Sequence, residues 1–176
     1  MVNAALAGAD EPLEPRPAGR RRLREEANFE ALPDSIPPQN LEAEEAVLGA
    51  ILLDPDAIGR VADVLQPEAF YLGAHREIYR TAVMLHSQGK PTDLTAMCAW
   101  LADTGSLEKA GGQGRLVELV ERITSTASID QVARLVMDKF LRRQLIRSGN
   151  EVIRLGFDQS KPMEQVLDEA EQKIFA

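Results

Sequence analysis

Apolar residues recur at helical spacing along most of the chain after residue 36, and the longest such run is residues 128–157, SIDQVARLVMDKFLRRQLIRSGNEVIRLGF, which holds no proline and no glycine before Gly149. Ser128 is placed to N-cap this helix and Gly156 to stop it. At about 100° per residue, Ile129, Ala133, Val136, Met137 and Phe140 cluster on one side. Leu141, Leu145, Val152 and Leu155 have swung round by roughly a quarter turn. The pattern predicts one helix with two successive neighbours, first a globular head and then a last helix. Leu135 and Ile146 fall on a third side, with Lys139, Arg143, Arg147 and Arg154 as a basic row beside them. A helix apolar on more sides than its own domain covers is expected to meet another chain.

The same periodicity places shorter helices upstream. Asn40 caps one that carries Ala43, Ala46, Val47, Ala50 and Ile51 inward, with Glu42, Glu44 and Glu45 in its first turns, where the helix dipole favours acid. Gly49 in mid-helix predicts a close helix crossing, because glycine costs about 1 kcal/mol there relative to alanine. Asp54 caps and Pro55 opens a second helix ending near Leu65, and PEAFYL at residues 67–72 reads as a buried connector. A third helix over 74–88 points Ile78, Ala82 and Leu85 inward. A fourth covers 93–103, with Thr92 as its cap and Gly105 as its stop. A fifth covers 115–123 with Leu116, Leu119, Val120 and Ile123 inward. After a loop at 158–161, a last helix over 162–175 shows a narrow stripe of Met163, Leu167, Ala170 and Ile174 and should fold back as an antiparallel hairpin. The expected organisation is a flexible arm at 1–36 broken by prolines and glycines, a helical head at 37–127 and a helical hairpin at 128–176: an all-α fold, a compact multi-helix head followed by an antiparallel helical hairpin.

Composition changes this picture little. The hydrophobic share is 44% and the aromatic share 5%, so aliphatic side chains must fill the core. A net charge of −8 confines any nucleic-acid contact to local basic patches, of which Arg20, Arg21, Arg22 and Arg24 form the densest. The single cysteine, Cys98, makes no internal disulfide and fits a reducing, cytoplasmic compartment. No apolar run approaches the roughly 20 residues of a membrane span.

Candidate chemistry is sparse. His75 and His86 lie about 16 Å apart along a helix, too far to share a metal, and read as hydrogen-bonded surface or boundary residues. Gly89, Lys90, Pro91 and Thr92 echo the end of a phosphate-binding loop, but the upstream glycine is replaced by Met84 and a proline splits the lysine from the threonine. Gly111, Gly112 and Gly114 follow no strand and read as a tight turn. No catalytic set, cofactor loop or metal spacing is expected in this chain, and the balance favours an interaction domain over an enzyme assembled from dispersed residues.

The words of the sequence go further than its periodicity. PQNLEAEEAVLGAILLDPDAI at 38–58, PEAFY at 67–71, AHREIY at 74–79, GKPTDLTAM at 89–97, GSLEKAGG at 105–112 and LDEAEQKIF at 167–175 follow one another in the order of the N-terminal domain of bacterial replicative DNA helicases of the DnaB family, which the chain resembles from residue 37 onward. The resemblance implies a head and hairpin that pair between subunits into dimers and a collar on a hexameric ring, with primase docking on the collar and a helicase loader as a further possible partner. It implies that single-stranded DNA, ATP and magnesium belong to the parent protein and its separate RecA-like motor, whose phosphate loop is not found in this chain. The expected contact residues are Leu135, Lys139, Arg143, Ile146 and Arg147 on the long helix, Val166, Ala170 and Ile174 on the last, and Arg115. Arg115 stands where the family usually has an aromatic residue, and residues 124–128 lack the family's usual proline and asparagine. A free-standing helical adaptor without a motor is the alternative.

Overall fold

The structure is a computed structural model and describes residues 36–123 and 128–175. The arginine-rich arm and residues 124–127 lie outside the described residues. Among those described there are seven α-helices, one 3-10 turn and no strand. They are α1 (Leu41–Leu53), α2 (Ala57–Val61), the 3-10 turn (Pro67–Ala69), α3 (Gly73–Ser87), α4 (Leu94–Asp103), α5 (Gly112–Glu121), α6 (Ile129–Phe157) and α7 (Met163–Phe175).

Helix α1 is the centre of the head. It packs against α5 on one side and the first half of α6 on another, with α3 and α4 closing the remainder. Val47, Leu48, Ala50, Ile51 and Leu52 are all buried, as a helix surrounded by neighbours requires. Asn40 caps it as the sequence predicts, its Oδ1 accepting from the amide of Ala43 at 3.0 Å. Gly49 is the predicted crossing point. A Cβ there would lie well inside van der Waals contact with the carbonyl oxygen of Leu119 and Cγ1 of Ile123, so α1 and α5 approach each other backbone to backbone.

Around this helix the core is aliphatic, with Phe70 and Tyr79 as its aromatic pair, ring centroids 4.8 Å apart. The Tyr79 hydroxyl donates to the carbonyls of Val61 and Leu65 at 3.4 and 3.2 Å, and burial pushes its pKa well above the ordinary phenol value. The connector at 67–72 is anchored as expected: Phe70 is fully buried, and Arg76 donates to the carbonyls of Phe70 and Tyr71. Arg60 and Asp130 form an ion pair that ties α2 to the start of α6.

Several end signals differ from the sequence reading. Asp93, not Thr92, caps α4, its Oδ1 accepting from the amides of Thr95 and Ala96, while Thr92 is buried and donates to the Ile51 carbonyl. Asp54 accepts from the amide of Asp56 in a turn, and α2 begins at Ala57. Ser128 occupies the N-cap of α6 without a side-chain bond, and the helix runs through Gly156 to Phe157 because nothing forces that glycine out of helical geometry. Gly111 and Gly112 have φ of +92° and +79°, the left-handed turn that opens α5 three residues earlier than expected.

Candidate functional site

The hairpin is formed by the second half of α6 and by α7, which runs back along it. Val166 is buried and Ala170 half-buried where α7 meets α6, and Val152 and Leu155 are half-buried on the α6 side. Lys161 holds the loop to α7 by bonding Glu169 at 2.6 Å, and Lys173 pairs with Glu151 at 2.9 Å near the far end of α7.

Little of the rest of the hairpin is covered. Leu135 is 50% exposed and Ile146 46%, as their position on a third side implies. Leu141 and Leu145 are exposed as well, contrary to the expectation that the last helix covers them. The reason is length. Helix α7 has 13 residues and spans about 20 Å, and with Lys173 opposite Glu151 it stops short of Leu145. Met163, Leu167 and Ile174 of the expected α7 stripe face solvent too, while Val166 is taken up inside the hairpin. The result is a chain of exposed apolar side chains along both helices, more than scattered single positions would give.

The basic row does not survive intact. Arg143 is buried: its guanidinium donates to the Pro38 carbonyl at 2.8 Å and the Ala69 carbonyl at 2.6 Å, and it lies over the rings of Tyr71 and Phe140. Desolvation lowers its pKa, opposed by the nearby charge of Glu44. Arg143 therefore fastens the entry segment and the 3-10 turn to α6 rather than facing a partner. Lys139 and Arg142 share Asp138, Arg147 bonds Gln144 at 3.2 Å, and Arg154 is exposed.

Arg115, the departure from the family pattern, is also directed inward. It bonds Glu45 at 2.5 Å, Glu118 at 3.2 Å and Nε2 of His75 at 3.2 Å. His75 is fully buried, correcting the surface or boundary placement, while His86 is exposed as expected. An arginine only donates, so His75 Nε2 accepts and the ring hydrogen sits on Nδ1, donating to Glu44 at 2.8 Å. Glu44 also accepts from the Tyr71 amide at 2.7 Å. The sequence reading placed Glu44 only among the first-turn acids of α1. The signal was available: at about 100° per residue, Glu44 falls on the same face as Val47, Leu48 and Ile51.

This network gives the head a pH dependence. Burial disfavours ionised Glu45, but hydrogen bonds and charge from Arg115 and Arg122 outweigh it and hold its pKa below the ordinary value of 4.5. The folded state then binds its proton less tightly than the unfolded state, so Glu45 contributes stability above the ordinary value and loses it as pH falls through the lower folded value. Urea midpoints measured between about pH 6 and about pH 3 should fall less steeply for Glu45→Gln than for the natural chain. Equal slopes would show that the pairs with Arg115 and Arg122 contribute nothing in solution.

Among the described residues no three His, Cys, Asp or Glu side chains are grouped to hold a metal ion, and no helix is long and apolar enough to cross a membrane. Burial pushes the Cys98 thiol up, away from a reactive thiolate.

The described residues thus form an all-helical head whose long helix α6 is followed by the shorter α7, folded back on it as a partly uncovered hairpin. The chain belongs to the family described as the DnaB-like helicase N terminal domain, whose family model matches residues 36–138. It is 57% identical over 140 residues to the replicative DNA helicase DnaB of Nostoc sp., covering 80% of this chain and 16% of that protein. It is 38% identical over 145 residues to DnaB of Geobacillus stearothermophilus, covering 82% and 32%. The crystal structure of the N-terminal domain of DnaB helicase from Mycobacterium tuberculosis superposes with a TM-score of 0.76 at 35% identity, covering 80% of this chain and all of that one. A DnaB-like replicative helicase solved together with its interactions with primase gives a TM-score of 0.64 at 32% identity, covering 76% and 31%. The chain thus spans only a minor part of these full-length relatives, and the match confirms the all-helical fold read from the sequence.

Proposed function

We propose that this chain is the N-terminal collar domain of a replicative DNA helicase, through which subunits associate in a hexamer and on which primase docks. In this reading the parent protein unwinds duplex DNA, and ATP, magnesium and the threaded single strand are handled by a RecA-like motor domain. The observation that carries the reading is the set of exposed apolar side chains on two sides of α6, continued on α7, in a chain whose family consists of helicase N-terminal domains. Leu135, Leu141, Leu145 and Ile146 are about half to three-quarters exposed on α6, so covering one of them with a partner contributes about 1–2 kcal/mol, a corresponding share of the value for a fully exposed side chain. A primase related to the one in the solved neighbour supplies the other expected partner.

The test uses Ile146→Asp and Leu135→Asp. Each side chain is about half exposed in the single copy, so the aspartates should leave the urea midpoint close to natural. Sedimentation across a concentration series should show self-association at least about 30-fold weaker for Ile146→Asp, the loss of about 2 kcal/mol typical of a central interface residue. Unchanged mass and unchanged primase binding in both variants would remove the hairpin face from the proposal.

A further inference from the structure

We propose that α6 carries a hinge at Ser148, Gly149 and Asn150, about which the hairpin swings relative to the head. Support from the head ends at Phe140 and Arg143, the last buried residues of the helix. Support from α7 begins at Glu151, which Lys173 tethers, and continues at Val152. Between them, Gln144, Leu145, Ile146 and Arg147 are all exposed. Four successive residues sweep about 300° of a helix, so this turn is exposed on every side and none of its side chains is anchored in the head or against α7. A single unsupported turn is the weakest part of a helix, since most helical stability in a folded chain comes from packing.

The residues at the end of this neck are poor helix formers, and glycine beside serine is a common site of sharp bends. A Cβ on Gly149 would meet nothing within 4 Å, so packing does not require the glycine, in contrast to Gly49. What glycine does supply there is backbone freedom. From Gly149 the hairpin tip at Phe157 is about 12 Å away, so a bend of about 20° moves it by about 4 Å. A hinge of this kind lets one head geometry present the hairpin at more than one angle. The inference concerns the chain alone and stands whatever covers the hairpin.

The experiment measures distance distributions by pulsed electron–electron spin resonance. Labels are placed at Lys109→Cys in the head and Gln159→Cys at the hairpin loop, in a Cys98→Ala background, diluted with unlabelled chain. A head-only pair, Asp63→Cys with Lys109→Cys, supplies the reference width. The head-to-hairpin distribution should be broader than the reference, should narrow with Gly149→Ala, and should keep its width with Gly156→Ala, a helical glycine in equally open space. Helical content by circular dichroism checks that each variant is folded. A natural chain as narrow as the reference overturns the hinge, and so does a broad distribution that Gly149→Ala leaves unaltered. If Gly149→Ala instead lowers the concentration-dependent mass without changing the width, Gly149 is a contact between copies and the hinge is also refuted.

Discussion

Gly49→Ala is expected to destabilise the chain by about 2–3 kcal/mol, the cost of forcing a methyl into a filled core. Two effects of opposite sign meet at this position. Alanine is the better helix former by about 1 kcal/mol, which alone would stabilise α1. The added Cβ, however, meets the backbone carbonyl of Leu119 as well as the Ile123 side chain. Ile123 can turn aside, but the carbonyl belongs to α5 and moves only with that helix. Displacing α5 disturbs buried Leu116 and Leu119 and pulls Arg115 away from Glu45. The steric cost therefore wins, and urea melts should show it. Gly149→Ala in the same experiment isolates the propensity effect, because its new methyl enters open space. It should be neutral or stabilising. A Gly49→Ala chain as stable as the natural one would mean that α1 and α5 are further apart than the structure places them.

The contrast between these two glycines shows what the sequence could and could not disclose. Gly49 interrupts a helix whose apolar positions continue on both sides, and that conflict between propensity and pattern was enough to predict a crossing. Helix positions were legible in the same way, since aliphatic spacing locates α1 and α3 to α7 to within a few residues. The apolar third side of α6 was legible too, because Leu135 and Ile146 lie off both of the stripes that the rest of the domain uses. Arg143 was misread for a chemical reason: charge suggested a solvent-facing row. Its angular position, in line with Val136 and Phe140, had already placed it against the head, where two backbone carbonyls and two rings receive it. Leu141 and Leu145 were misread because periodicity gives the direction of a side chain but not the length of the helix opposite. His75 was misread for the same chemical reason as Arg143: at about 100° per residue it lies in line with Ile78 and Ala82 on the inward face of α3, and only its partners on α1 and α5 were out of reach of spacing.

Glu44→Ala is expected to cost about 3–5 kcal/mol, because two donors lose a buried carboxylate acceptor at about 1.5–3 kcal/mol each. Glu44 is 1% exposed and is the acceptor for two buried donors, the Tyr71 amide and His75 Nδ1. Truncation leaves both without a partner and also withdraws the negative charge that supports buried Arg143. Glu44→Gln tests the direction of the network rather than its volume. A glutamine amide has one oxygen for two donors, and its NH2 must then face either the Tyr71 amide or the Nδ1 hydrogen of His75. Moving that hydrogen to Nε2 gives no relief, because Nε2 faces the Arg115 guanidinium, which is itself a donor. Glu44→Gln should therefore cost about 1–3 kcal/mol despite matching the natural side chain in shape. Glu42→Ala, on the exposed side of the same turn, should stay within about 0.5 kcal/mol. Chemical denaturation of the three variants at neutral pH separates these cases. A Glu44→Ala loss under about 1 kcal/mol would show that the carboxylate does not bridge α1, α3 and the Tyr71 backbone. A glutamine variant as stable as the natural chain would show instead that the hydrogen on His75 is free to change sides.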